Sequence, residues 1–179
     1  MKKISCIVFL LCCIFVEGQQ ASTSYVQTLQ NRMSVKVLAA YQENTSNKVV
    51  DLFSYFQMLT DASLNDEVKK EVIYNINLLF DNQNPMVIDF TSEEKNTIPL
   101  QTLIQKLLIS EPILFKVSEE LKYDSLTDKG WNTTYVIKRT KANTSNYIYT
   151  SQTVFMLMEE KKFGENSKTI WTIFLGAMN

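Results

Sequence analysis

The chain has 179 residues, of which 45% are hydrophobic and 21% charged, and its formal net charge is −1. These values are typical of a globular protein with a sizeable core, and the lack of a basic block argues against a nucleic-acid partner. The sequence contains no histidine, which excludes Ser-His-Asp and Cys-His catalysis and histidine ligation of zinc or haem.

The first 18 residues are predicted to be an export signal. Two lysines precede an uncharged apolar run over 4–16, and Val16 and Gly18 occupy the −3 and −1 positions of a cleavage site. The run is shorter than the roughly 20 residues of a membrane-spanning helix. We therefore expect cleavage after Gly18, a periplasmic or extracellular protein, and no membrane span once the signal is removed. An uncleaved anchor is the alternative.

All three cysteines, Cys6, Cys12 and Cys13, lie within this signal. The mature chain would then have no disulfide and would depend on its core for stability. Cys12 and Cys13 lie near the end of the apolar run, so a lipoprotein is a further alternative. Leu10 and Leu11, however, are large where a lipoprotein signal usually has small residues.

The segment after the signal has two periodicities. Apolar residues recur every fourth position over 21–41, which favours an amphipathic helix, although residues 33–37 also alternate as a strand would. We predict a helix there, followed by a polar break over 42–47. Residues 19–47 would accordingly be an N-terminal helix or extension, and residues 48–179 the main domain.

The next segments have helical spacing. A helix is predicted over 48–60, and a second begins after an N-cap at Ser63 and ends near residues 81–82, so that the two form an antiparallel hairpin. A short strand over 86–90 follows. Pro99 suits the first turn of another helix, and Pro112 prevents that helix from continuing.

The last third of the chain predicts a sheet, because apolar and polar residues alternate there over long runs. The first strand covers 113–123, and Glu119 interrupts its apolar side, which indicates a bulge or a polar pocket. Further strands are predicted over 131–138, 147–158 and 169–178. The predicted fold class is α+β, with N-terminal helices packed on a curved antiparallel sheet of four or more strands.

The closing segment 168–173 reads KTIWTI, and segment 154–159 before it reads VFMLME. Together with the order of elements, this hairpin resembles the end of an NTF2-like domain, in which a curved sheet wraps around helices to form an open cone. The resemblance covers residues 49–175. The signal and the mature start at Gln19 are similar to those of small exported proteins of Bacteroidetes-type bacteria.

The resemblance bears on enzymatic chemistry in two ways. Scytalone-dehydratase-like members use a His-Asp pair, which this chain cannot form. Ketosteroid-isomerase-like members use a carboxylate base with a tyrosine and a protonated aspartate. Tyr135, Tyr149, Asp89 and Glu119 are residues of these types, but none matches a family motif position. No catalytic residue is assigned, and no cofactor or metal is expected.

The candidate ligand or partner surface comprises Tyr135, Tyr147, Tyr149, Glu119 and Trp131. Tyrosine is enriched at interfaces, although plain cross-strand packing would also explain the three tyrosines. The first hypothesis is an exported, non-enzymatic binding or interaction module of the cell envelope. Its sheet face or cone mouth would hold a partner protein or a small apolar ligand, and a homodimer could form through the sheet face. A ketosteroid-isomerase-like enzyme and an accessory subunit of a secretion or surface-assembly machine are the alternatives.

Overall fold

A computed structural model of the chain describes residues 33–118, 120–124, 126–127, 129–164 and 166–179, except for the side chain of Phe163. The predicted signal, the part of the predicted first helix before residue 33, and Glu119 lie outside these residues. The described elements are α1 (Val35–Thr60), α2 (Asp66–Leu79), β1 (Met86–Ile88), β2 (Thr97–Pro99), α3 (Leu100–Leu108), β3 (Ile113–Val117), β4 (Lys122–Asp124), β5 (Gly130–Lys141), β6 (Thr144–Phe163) and β7 (Asn166–Met178). The helices pack on a strongly curled antiparallel sheet, which confirms the predicted α+β fold class.

Helix α1 is continuous over 26 residues, so the predicted break over 42–47 is wrong. Buried residues recur along this segment at Leu38, Thr45 and Val49, and one buried residue in each turn or two is enough to hold a polar helix against the core. The hydroxyl of Thr45 donates to the carbonyl of Tyr41 at 3.0 Å, so this buried polar group has its hydrogen-bond partner within the helix. The boundary predicted between the N-terminal extension and the main domain, at residues 47 and 48, therefore lies inside a single helix.

Helix α2 begins after Asn65, whose side-chain oxygen accepts from the amide of Val68 at 2.9 Å. The predicted N-cap at Ser63 is wrong, because the amide and hydroxyl of Ser63 both donate to Asp61 at 2.8 and 2.7 Å. Ser63 is therefore used in the turn that precedes the helix. The first turn of α2 contains two acidic residues, Asp66 and Glu67, which suit the positive end of the helix dipole. Helices α1 and α2 pack against each other.

Strands β1 and β2 form a small antiparallel sheet in which Val87 lies opposite Ile98. The sequence predicts β1 but not β2. Pro99 ends β2 and precedes the first residue of α3, Leu100, whose amide donates to the carbonyl of Pro85 at 2.9 Å. The predicted helix after Pro99 is confirmed, and its buried stripe comprises Leu100, Leu103, Ile104 and Leu107.

The large sheet has the strand order β3-β5-β6-β7, with β4 also paired to β5. The single strand predicted over 113–123 is therefore two strands, β3 and β4. The chain leaves the ladder at Ser118, whose amide donates to the carbonyl of Val136 at 2.8 Å while its hydroxyl accepts from the amide of Val136 at 3.1 Å. The side chain of Ser118 thus takes the place of a backbone acceptor, which ends the regular pairing.

Short turns join the last three strands. Ala142 and Asn143 have positive φ angles of 46° and 66° and form the two-residue connection between β5 and β6. Such a turn matches the natural twist of a hairpin. Strands β6 and β7 pair as far as Phe163 and Asn166, so the predicted turn over 161–168 is much shorter than expected.

The inner face of the large sheet is the face that the helices cover. On β5, the residues at every second position from Trp131 to Arg139 are buried, as their alternation predicts. Phe53 of α1 lies at the centre of an aromatic cluster on this face. Its ring centroid is 5.2 Å from that of Phe90, 5.5 Å from that of Phe115 and 6.2 Å from that of Tyr135. The face of the sheet opposite the helices is the outer face.

Candidate functional site

The sheet separates the aromatic residues that the sequence proposes for a binding surface. Tyr135 and Trp131 point to the inner face and are 4% and 2% exposed, whereas Tyr147 and Tyr149 point to the outer face and are 64% and 73% exposed. Successive side chains of a strand lie on opposite faces, and Tyr149 pairs with Val136, the neighbour of Tyr135 on β5. The structure therefore brings the side chains of Tyr147 and Tyr149 together on the outer face, whereas those of Tyr135 and Trp131 are buried on the inner face. Glu119 lies outside the described residues.

Tyr135 is held by a neutral partner. Its hydroxyl donates to Oε1 of Gln152 at 2.6 Å, and Nε2 of Gln152 donates to the carbonyl of Gly176 at 3.5 Å. Burial raises the pKa of Tyr135 above its usual value, because an ionised phenol would be poorly solvated there. The role of Tyr135 in the described structure is to connect β5 to β6 inside the core.

Two adjoining depressions on the outer face, with volumes of 390 Å³ and 610 Å³, share Glu120 and Val136. We call them together the outer groove. The side chains that line it on the outer face are Lys116, Ser118, Glu120, Lys122, Thr134, Val136, Lys138, Tyr147, Tyr149 and Ser151. Each depression lies within the roughly 300–1,000 Å³ of small-molecule pockets.

The outer groove combines exposed aromatic surface with positive charge. Tyr149 lines the first depression and Tyr147 the second, each opposite a residue of β5. Three lysines, Lys116, Lys122 and Lys138, surround the groove, and Glu120 is its described carboxylate. Tyrosine rings give large contact area at a small cost in side-chain entropy. Such a surface can hold a partner through its rings while its lysines attract acidic groups.

Sequence reasoning did not identify Val136, Lys138 or Lys116 as groove residues. They alternate with half-buried residues on β3 and buried residues on β5, so their outward direction follows from the pattern. Their proximity to the tyrosines depends on the register between strands, which pairs Lys138 with both Tyr147 and Lys116. The two-residue turn at 142–143 sets the β5–β6 part of that register.

The carboxylate chemistry that an isomerase would need has a different arrangement here. Among the described residues, Asp89 is the buried carboxylate, and it accepts from Nζ of Lys106 at 2.6 Å and from the hydroxyl of Thr91 at 2.6 Å. Burial raises the pKa of Asp89, but the hydrogen bonds from Lys106 and Thr91 outweigh burial, and the net pKa is below its usual value. A general base of the isomerase type is instead tuned towards a higher pKa.

Replacing Asp89 with Asn should make the protein less stable by about 1–2 kcal/mol at pH 7, because a charge-assisted bond to Lys106 is lost. A depressed pKa in the folded state contributes stability above the unfolded pKa, near 3.8, and this contribution disappears as the pH falls through the folded pKa. Urea unfolding at pH 7 and pH 3 should therefore show a difference between parent and variant that shrinks at pH 3. Glu111→Gln, at an exposed position, is the control. An equal difference at both pH values would contradict the lowered pKa of Asp89 in the folded state.

Within the described part of the chain, no helix is both long enough and apolar enough to cross a membrane. The same residues contain no group of three histidine, cysteine, aspartate or glutamate side chains placed to hold a metal ion. Comparisons of the chain with protein-family models, with curated proteins and with solved structures find no match.

Proposed function

We propose that this protein is an exported, non-enzymatic binding module of the cell envelope whose outer groove holds a partner protein or a small apolar ligand. The observation that carries the proposal is the pair of exposed tyrosines on β6, Tyr147 and Tyr149, each lining one depression of the groove. Exposed rings beside a recess lose water-exposed apolar surface when a partner covers them, and tyrosine is enriched among residues that dominate binding energy.

The charges of the groove support a partner that carries acidic groups. Among the described residues, the groove is lined by three lysines, Lys116, Lys122 and Lys138, and by one carboxylate, Glu120. Complementary charge at the edge of an interface speeds association and selects the orientation of the partner. An apolar ligand with a carboxylate, or an acidic segment of a protein that presents an apolar side chain, would satisfy both the rings and the lysines.

The proposal includes export, which is based on the signal predicted over residues 1–18, and a likeness to NTF2-like domains. The curled sheet with helices on one face supports that likeness, as does the order of the elements. A non-enzymatic role is supported by the hydrogen-bond partners of two of the four residues whose types would suit an isomerase. Tyr135 is bonded to an amide, and Asp89 is bonded to a lysine.

Replacing Tyr149 with Ala should weaken binding at the outer groove at least about tenfold, and the double variant Tyr147→Ala/Tyr149→Ala should abolish it, because central aromatic residues commonly contribute most of an interface's energy. Two measurements check this: titration with the apolar anionic dye 1-anilinonaphthalene-8-sulfonate, and affinity capture from envelope extract followed by mass spectrometry. Tyr74→Ala is the matched control, since Tyr74 is an exposed tyrosine on α2.

Capture of a protein by the parent and by Tyr74→Ala but not by the double variant would identify a protein partner. If the dye bound to the parent and to Tyr74→Ala but not to the double variant, and no protein were captured, the small ligand would be favoured. Dye binding and capture that are unchanged in the double variant would contradict the assignment of the groove. Because both tyrosine side chains are largely in solvent, their removal should leave the free energy of unfolding nearly unchanged.

A further inference from the structure

A second recess, with a volume of 490 Å³, lies between α1 and β7, and we call it the α1–β7 cleft. It shares no lining residue with the outer groove, so nothing about it depends on the function proposed above. Its principal side chains are Tyr41, Asn44, Asn47, Lys48, Asp51 and Trp171. The cleft therefore joins a polar face of a helix to an aromatic residue of a strand.

The helical side of the cleft is strongly polar. Asn44, Asn47, Lys48 and Asp51 have the spacing i, i+3, i+4 and i+7, which places them on one face of α1. The two amides each supply donors and an acceptor, lysine supplies donors, and aspartate accepts. This face thus presents both kinds of hydrogen-bonding group to one recess. Asn44 and Asn47 belong to segment 42–47, which the sequence suggested would break the helix.

The strand side of the cleft is aromatic. Trp171 is half-buried and packs partly against the core. Its carbonyl accepts a hydrogen bond from the hydroxyl of Tyr41 at 3.5 Å, which connects β7 to α1 across a separation of 130 residues. Tyr41 is half-buried as well. Two aromatic side chains are consequently held at the cleft by contacts that do not require a ligand.

The charges around the cleft are balanced. Lys48 and Asp51 line its helical side and Lys161 its strand side, and Glu159, which does not line the cleft, offsets the charge of Lys161. On the strand side, Nζ of Lys161 is 3.9 Å from Glu159, which also accepts from the hydroxyl of Thr172 at 2.6 Å. Burial lowers the pKa of Lys48, the charge of Asp51 raises it, that of Lys161 lowers it and that of Glu159 raises it, and the net pKa is below its usual value. Two cationic and two anionic side chains give an ion of either sign no net attraction.

We propose that the α1–β7 cleft is a binding site for a neutral carbohydrate. A sugar ring presents C–H groups on its faces, which pack on aromatic rings, and hydroxyls around its edge, which need donors and acceptors together. Trp171 and Tyr41 supply the apolar contact, and the polar face of α1 supplies the hydrogen bonds. A charged ligand would need an excess of positive or of negative side chains around the cleft, and the charges there are balanced.

Tryptophan fluorescence offers a direct test, because the chain has two tryptophans and only Trp171 lies at the cleft, while Trp131 is 2% exposed in the core. The mature protein would be titrated with maltotriose, cellotriose and triacetylchitotriose. At least one should change the emission saturably by about 10 mM, with a matching heat signal in calorimetry. Asn47→Ala and Asp51→Ala should each weaken that binding at least about tenfold.

Two control variants test whether the sugar binds at this cleft and not elsewhere on the protein. Glu43→Gln alters an exposed residue of α1 that does not line the cleft, and Tyr149→Ala alters the outer groove; both should bind the sugar as the parent does. No saturable signal by either method with any of the three sugars would overturn the proposal. It would also be overturned if Asn47→Ala and Asp51→Ala bound normally, or if a uronic-acid trisaccharide bound far more tightly than the neutral sugars.

Discussion

Ile76→Asp is expected to make the protein less stable by more than about 4 kcal/mol, a large part of the free energy of unfolding of a typical domain. Ile76 is fully buried and lies on the buried stripe of α2 with Val72 and Leu79. The substitution removes the apolar side chain from the core and puts a carboxylate in its place. A buried charge without a partner is among the most destabilising changes in a protein.

Urea unfolding followed by circular dichroism would measure this loss. Tyr74→Asp is the matched control, because position 74 lies on the same helix but is 56% exposed; its cost should stay near or below about 1 kcal/mol. An Ile76→Asp variant as stable as the control would mean that α2 does not pack on the core as described.

Arg139→Met is expected to cost about 2–4 kcal/mol, because it leaves several acceptors without their donor. Arg139 is an inner-face residue of β5 whose guanidinium joins the loop after β1 to the large sheet. Its Nη1 donates to the carbonyls of Phe90 at 3.0 Å and Ser92 at 2.6 Å, its Nη2 pairs with Glu93, and its Nε donates to Asn146 at 3.1 Å. Methionine fills a similar space but cannot donate, and the carbonyl of Phe90 lies in buried surroundings.

Denaturant unfolding of Arg139→Met, Arg139→Lys and Lys138→Met would check this prediction. Lysine cannot reproduce the planar fork of donors, so Arg139→Lys should recover only part of the loss. Lys138 is the exposed neighbour on the outer face, and Lys138→Met should change the free energy of unfolding by less than about 0.5 kcal/mol. Full stability in Arg139→Met would mean that the cost of burying the guanidinium cancels its bonds.

The features that the sequence predicts well are those that a local pattern determines. The inner face of β5 is a good example, because the alternation from Trp131 to Ile137 needs no knowledge of any other strand. Helix α1 shows the limit of such reasoning. Residues 44–47 have little helical preference of their own, and the contacts of Leu38, Thr45 and Val49 with the rest of the fold decide their conformation.

Hydrogen-bond partners that the local pattern does not reveal account for the other differences. Ser63 and Asn65 are both good capping residues, and the bonds of Ser63 to Asp61 leave Asn65 to cap α2. Strand β2 exists because β1 pairs with it. Arg139 attracts no notice in the sequence, since three of its acceptors lie 46–49 residues away.

The candidate site is predictable only in part, because local alternation indicates which side chains are exposed but not which strands bring them together. The sequence proposes Tyr147 and Tyr149 for a surface, and they are exposed on one. It proposes Tyr135 and Trp131 with them, although alternation on β5 already places both among the buried residues. The groove itself depends on the pairing of four strands, β3 to β6, and on the departure of the chain from the ladder at Ser118.

The alternation along β6 also affects how such a protein can change over evolutionary time. Tyr147 and Tyr149 have their side chains in solvent, while the intervening Ile148 is buried with the core. Substitutions at the outward positions are nearly free of any penalty in folding, whereas those at the inward positions are not. A lineage could therefore exchange one binding specificity for another by drift and selection on the outer face alone, while purifying selection preserves the same scaffold beneath it.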